Sequence, residues 1–263
     1  MITSKYGLGI VIGGIVTVYL LINLVVPNIS SVLVGCYVMQ PILWSGLFFV
    51  ALRASWRGTG RKLKFSRQML LVGVLLGVVQ ITVLIFVGLL TGLGNSAYSH
   101  TPYGMFLNFT LFVSALLGTE FSRAFLLNAF ERWRGFVVMA FVALLYTLFM
   151  MPMARFGNQQ GAGEAFSLFG GTFLPLLAEN SLACFLALTG GPMAAIGYRG
   201  ILEFFEWASP VLPDFPWNVW AFAGTLVPLI GLFVTQALFA REAHADEAKE
   251  MPHFAESVAA GDC

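Results

Sequence analysis

The strongest constraint on this chain is a succession of apolar runs about twenty residues long, beginning with residues 6–26 and 32–51 and recurring up to residues 219–240. A helix needs about 20 such residues to cross a hydrocarbon core some 30 Å thick. Backbone polar groups inside lipid find no water, so each run must satisfy its own hydrogen bonds as a helix. Composition agrees: 58% of residues are hydrophobic and only 10% are charged, and the mean hydropathy is +0.84. The expectation is an all-α, polytopic transmembrane bundle over residues 1–240, followed by a polar, mobile tail over residues 241–263. The net charge of +1 gives no reason to expect a nucleic-acid partner.

Charge orients the runs. Arg53, Arg57, Arg61, Lys62, Lys64 and Arg67 follow the second run, whereas the loop over residues 94–104 contains no Lys or Arg. By the positive-inside rule the first of these loops is cytoplasmic and the second is outside. Further runs at 69–93, 105–130, 136–151 and 166–188 continue the alternation, with Arg132 and Arg134 inside; Arg155, after the fifth run, is a basic residue outside. The first run is read as a span rather than a cleaved signal peptide, because Pro27 and Asn28, not a small-residue cleavage site, follow it. Gln40-Pro41 should kink the second span.

The segment over residues 193–208 is short for a span and carries Arg199, Glu203 and Glu206 on one helical face, at spacings of four and three. If it crosses, there are eight spans, and both termini lie on the cytoplasmic side of a prokaryotic cell membrane. If it is re-entrant, there are seven, and Arg241 and Lys249 lie outside. The positive-inside rule favours crossing. The turn after it, with Pro210, Pro213 and Pro216, is flanked by Trp207, Trp217 and Trp220 as interfacial anchors.

Ionisable residues at membrane depth are expensive and must find partners. The candidate cluster is Glu120, Arg123, Glu179, Asn180, Arg199, Glu203 and Glu206. Glu179 or Glu120 is expected to pair with Arg199 or Arg123 across the bundle. Two readings stay open: an ion and hydrogen-bond cluster that fixes helix register, or a glutamate acting as general base or proton carrier. No catalytic set is assigned, and Glu120 and Arg123 are the only candidates for one. His100, His244 and His253 lie outside the spans, and Cys36, Cys184 and Cys263 form no paired motif, so no metal or haem site is expected. An axial ligand to a pigment could come only from a loop histidine, a backbone group or an amide such as Gln80 or Asn108. Cys36 and Cys184 are read as apolar packing residues, and Ser114 and Ser122 as helix-packing residues.

Residues 95–130, together with residues 177–233 and in particular GYRGILEFFEWASPVLPDFPW (197–217), resemble the multi-span membrane region that precedes the catalytic domain of large archaeal-type signal peptidase I proteins. That family carries its serine nucleophile in a domain beyond this region, and the polar tail here offers no counterpart. The resemblance therefore implies a membrane module without the catalytic residues. More weakly, Glu120-Phe121-Ser122-Arg123 is similar to the Glu-Glu-x-x-x-Arg helix of CAAX prenyl proteases and bacteriocin-processing membrane proteases. Here the first glutamate is absent, the arginine spacing differs and no later span supplies a histidine.

Three classes of function follow. The first, which the lack of a credible catalytic set favours, is a membrane accessory or scaffold subunit of a larger assembly, whose partners are other integral membrane proteins and lipids; the other two are alternatives to it. The second is an intramembrane protease centred on Glu120. The third is a transporter or lipid-handling protein that uses the Glu/Arg cluster and the helix break at Gly190, Gly191 and Pro192. No cofactor is expected, bound lipid is, and a pigment or quinone held by apolar side chains is compatible with the 25 phenylalanines.

Overall fold

The computed structural model describes residues 2–29, 31–58, 64–130, 135–157 and 161–259, with side chains described through Phe239 except those of residues 2–5, 32, 57–58 and 157. Arg61, Lys62 and residues 131–134, which orient the chain by charge, lie outside the described residues, as do residues 260–263 and the side chains of Arg57, Arg241, His244, Lys249 and His253.

The fold is all-α. In chain order the helices are α1 (Ile2–Leu20), α2 (Val32–Val34), α3 (Gln40–Gly58), α4 (Arg67–Thr91), α5 (Pro102–Ala129), α6 (Gly135–Met150), α7 (Ala154–Gly157), α8 (Ala162–Leu168), α9 (Leu174–Gly190), α10 (Pro192–Ala208) and α11 (Trp217–Ala259). Among the described residues, six stretches are long and apolar enough to cross a membrane: Tyr6–Asn28, Gly35–Trp56, Arg67–Thr91, Pro102–Ala129, Ala162–Gly190 and Trp217–Phe239. The expected eight therefore separate into six full-length helices and two shorter ones. α6 has 16 residues and α10 has 17, or about 24 and 25 Å at 1.5 Å per residue. Phe86, Leu89 and Leu90 on α4 and Phe222, Ile230 and Phe233 on α11 face outward, an apolar exterior of the kind that water does not tolerate.

The helix continues through Pro41, where a kink is expected, with a π turn just before it. Turns of π-helix occupy Leu21–Val25, Gly35–Met39 and Phe169–Phe173, and each ends two residues before a proline, at Pro27, Pro41 and Pro175. Proline removes one backbone donor, and its ring crowds the carbonyl four residues earlier. Widening the preceding turn by one residue relieves that crowding without ending the helix.

α4 and α10 run side by side in the same direction. A Cβ on Gly73 would fall 2.3 Å from the carbonyl oxygen of Ala194, one on Gly77 would fall 2.9 Å from that of Tyr198, and one on Gly88 would meet Pro213 beyond the end of α10. Glycine at these buried positions lets two backbones touch along their length. The α9–α10 turn is fixed by Gly191 at φ 83°. A Cβ there would also overlap the carbonyl of Lys64, and the Ser66 amide donates to the Gly190 carbonyl at 3.2 Å. α10 thus starts beside the 64–66 segment that leads into α4 and finishes beside the end of α4.

That far end is closed by a short β-ribbon between two segments with no strand periodicity in the sequence. Residues Leu93–Asn95 (β1) pair antiparallel with Val211–Pro213 (β2), with Leu93 opposite Pro213 and Asn95 opposite Val211. α11 also continues through the segment expected to be a polar, mobile tail, as far as Ala259. α5 carries a nearly continuous buried stretch. From Gly118 to Leu127 all but Phe121 are buried, and α3, α6, α9 and α10 pack around it.

Candidate functional site

The buried stretch of α5 carries the charges to the middle of the bundle. Glu120 and Arg123 are both 0% exposed and Arg199 is 7% exposed. Glu120 and Arg123 are one helical turn apart and face the same way, so Arg123 Nη1 comes 3.3 Å from Glu120 Oε2. From α10, Arg199 Nε approaches Glu120 Oε1 at 3.6 Å. Arg199 Nη2 also donates to Glu203 Oε1, one turn further along α10, at 2.8 Å. The two arginines and two glutamates alternate in sign, which is the arrangement that lets a charge remain in a low-dielectric interior.

Asn180 on α9 ties the two arginines together. Its Oδ1 accepts from Arg123 Nη2 at 2.6 Å and from Arg199 Nη1 at 3.2 Å, while its Nδ2 donates to Thr147 Oγ1 on α6 at 3.2 Å. The Arg123 guanidinium also stands 4.7 Å over the ring of Tyr146, whose hydroxyl is 2.6 Å from Ser122 Oγ. A planar guanidinium over an aromatic face gains cation–π attraction where a hydrated ion could not fit. Four helices, α5, α6, α9 and α10, are pinned at one level.

Glu179 does not join this network by a direct ion pair. It lies on another face of α9, where Oε1 accepts from Gln80 Nε2 at 2.9 Å; Gln80 Oε1 in turn accepts from the Tyr198 hydroxyl at 2.6 Å. The expected pairing with Arg123 or Arg199 is thus made by Glu120, and the partner of Glu179 is an amide from α4. Glu206, at the far end of α10, is exposed and makes no side-chain ion pair with another described residue. Gln80, Tyr146, Thr147, Met150 and Tyr198 were not assigned to the site from sequence. Their signal was the one that flagged Asn180, a polar atom at membrane depth, but tyrosine and threonine are common enough in spans to hide it.

Two pockets reach the network. One, of about 410 Å³, runs inward from Asn23 and Pro27 at the end of the first span, past Trp44, Thr119 and Met150, to Arg199 and Glu203. The second, of about 580 Å³, lies on the other side of α10, between Gln80, Glu179, Arg199, Asp214, Trp217 and Trp220. The Arg199–Glu203 pair is a wall shared by both. Glu120 lines neither pocket, and its two oxygens accept no hydrogen bond from protein. Tyr37 donates to Asn108 Oδ1 at 3.2 Å, well away from this cluster in sequence. Cys184 is buried and Cys36 half-buried, and both are free thiols. Among the described residues no three His, Cys, Asp or Glu stand close enough to hold a metal ion.

No protein-family model matches the chain, and neither does any curated protein or solved structure. What fold and site define by themselves is a class: an all-helical bundle with helices of membrane-spanning length, organised round a buried, charge-balanced network with two pockets against it.

Proposed function

We propose that the chain is an eight-span membrane protein that binds a small ligand from the outer side, in the transporter or lipid-handling class, with the Glu120–Arg123–Asn180–Arg199 network as its rigid floor. The observation that carries this reading is the second pocket. At about 580 Å³ it lies within the ~300–1,000 Å³ of small-molecule sites, and its deep end is formed by groups already locked by hydrogen bonds.

Eight spans follow from α10 and α6 each crossing. α10 accompanies α4, a helix of membrane-spanning length, from Lys64 to Pro213. Positive-inside charge then places Lys64 and both termini in the cytoplasm and the β1–β2 ribbon outside. Asn23 and Pro27 line the first pocket and Asp214 and Trp217 the second, and all four belong to the end of the bundle that this orientation puts outside.

The protease reading loses ground because Glu120 is sealed between two guanidiniums. Native mass spectrometry of the gently solubilised protein tests the proposal. Wild type is expected to retain a bound small molecule or lipid that Ile81→Trp, which fills the pocket, releases while melting at the same temperature. An empty wild-type protein that no polar ligand stabilises would contradict the reading.

A further inference from the structure

The walls of the second pocket specify charge as well as volume. Glu179, Glu203, Glu206 and Asp214 all line it, and Arg199 is the one basic side chain among its described lining residues. Arg199 is already shared between Glu120 and Glu203. Neither Glu206 nor Asp214 has a side-chain hydrogen bond or ion pair to another described residue. An uncompensated excess of carboxylate therefore faces a cleft with apolar walls, the arrangement that focuses a negative potential inside it.

An independent feature points the same way. Phe215, Trp217 and Trp220 line the same cleft, and the Phe215 and Trp220 rings are stacked, 5.7 Å apart at an interplanar angle of 20°. Aromatic faces attract cations, tryptophan most strongly, and walls of this type recognise alkylated ammonium groups. The carboxylates are spread round the cleft and do not converge closely enough for a metal ion. The room is that of an organic ion.

Resting on the binding reading above, we infer that this pocket takes an organic ammonium group, carried either by a free amine or by a zwitterionic lipid headgroup. Glu206 and Asp214 supply the counter-charge, Trp217 and Trp220 supply the aromatic walls, and the Arg199–Glu203 pair closes the deep end.

The test is calorimetric titration of the full-length protein in detergent with choline chloride and tetramethylammonium chloride against matched sodium chloride, alongside native mass spectrometry from nanodiscs of phosphatidylcholine or phosphatidylglycerol. Saturable choline binding identifies a free amine as ligand. Selective retention of phosphatidylcholine identifies a headgroup. In either case Asp214→Asn and, separately, Glu206→Gln should weaken binding about tenfold, since removing one nearby opposite charge is worth roughly 1.4 kcal/mol, without lowering the melting temperature. Preference for phosphatidylglycerol would overturn the ammonium assignment and leave the binding reading standing. Binding of choline or phosphatidylcholine that both variants preserve would overturn the assignment of these carboxylates, and binding of no probe of either charge would overturn both readings.

Discussion

Arg199 is the residue on which the account turns. It bridges Glu120 on α5 to Glu203 on its own helix and shares Asn180 with Arg123. Removing one member of a buried ionic set costs more than the set is worth, because its partners keep their charge and lose their compensation. Arg199→Leu is therefore expected to destabilise the protein by about 3–5 kcal/mol, read as a lower melting temperature in detergent. Neutralising Glu203 as well, with Glu203→Gln, leaves the balanced Glu120–Arg123 pair and should recover much of that loss. A single variant that melts like wild type would show the network to be energetically idle. The sequence made Arg199 conspicuous, because three charges at helical spacing stand out in an apolar chain. It could not show which carboxylate each arginine meets, since Glu120 and Glu179 lie on different helices at similar depth. Their separation follows from the side of α9 on which Gln80 stands.

At the scale of elements, the α4–α10 pair sets the geometry. Gly73 and Gly77 let the backbones touch, which holds Tyr198 and Arg199 at a fixed height against α5 and α9. Gly73→Val would drive a side chain into the Ala194 carbonyl, and overpacking of this kind costs about 1–3 kcal/mol or more. Gly46→Val on α3 has nothing within 4 Å to meet and should melt within about a degree of wild type, as isolated surface changes do. Thermal melts of the two variants side by side check this, and equal losses would sink the close-packing argument. Helix positions were legible because each span is set by run length and bounded by charge, proline or glycine. The three π turns, the β1–β2 ribbon and the long extension of α11 were not. The first depend on how each proline is accommodated, the second on pairing between residues more than a hundred positions apart, and the third on helix propensity outweighing polarity in the tail.

For the whole molecule, the question is whether the charged helix crosses. Its residues do not look like a span in isolation, since α10 is short and carries Arg199, Glu203 and Glu206. In the proposed eight-span topology its charges face α5, α9 and the pockets rather than lipid, and β2 extends it toward the end of α4, where Gly88 meets Pro213. Crossing puts both pockets, and the acidic, tryptophan-walled cleft, on the outer side of the membrane. The direct measurement is labelling of intact cells with a membrane-impermeant thiol reagent, using Lys64→Cys and Pro210→Cys in a chain whose Cys36, Cys184 and Cys263 are alanine. Position 210 should label on intact cells and position 64 only after permeabilisation. If both label from the same side, α10 is re-entrant, and the outward-facing site built on it is wrong.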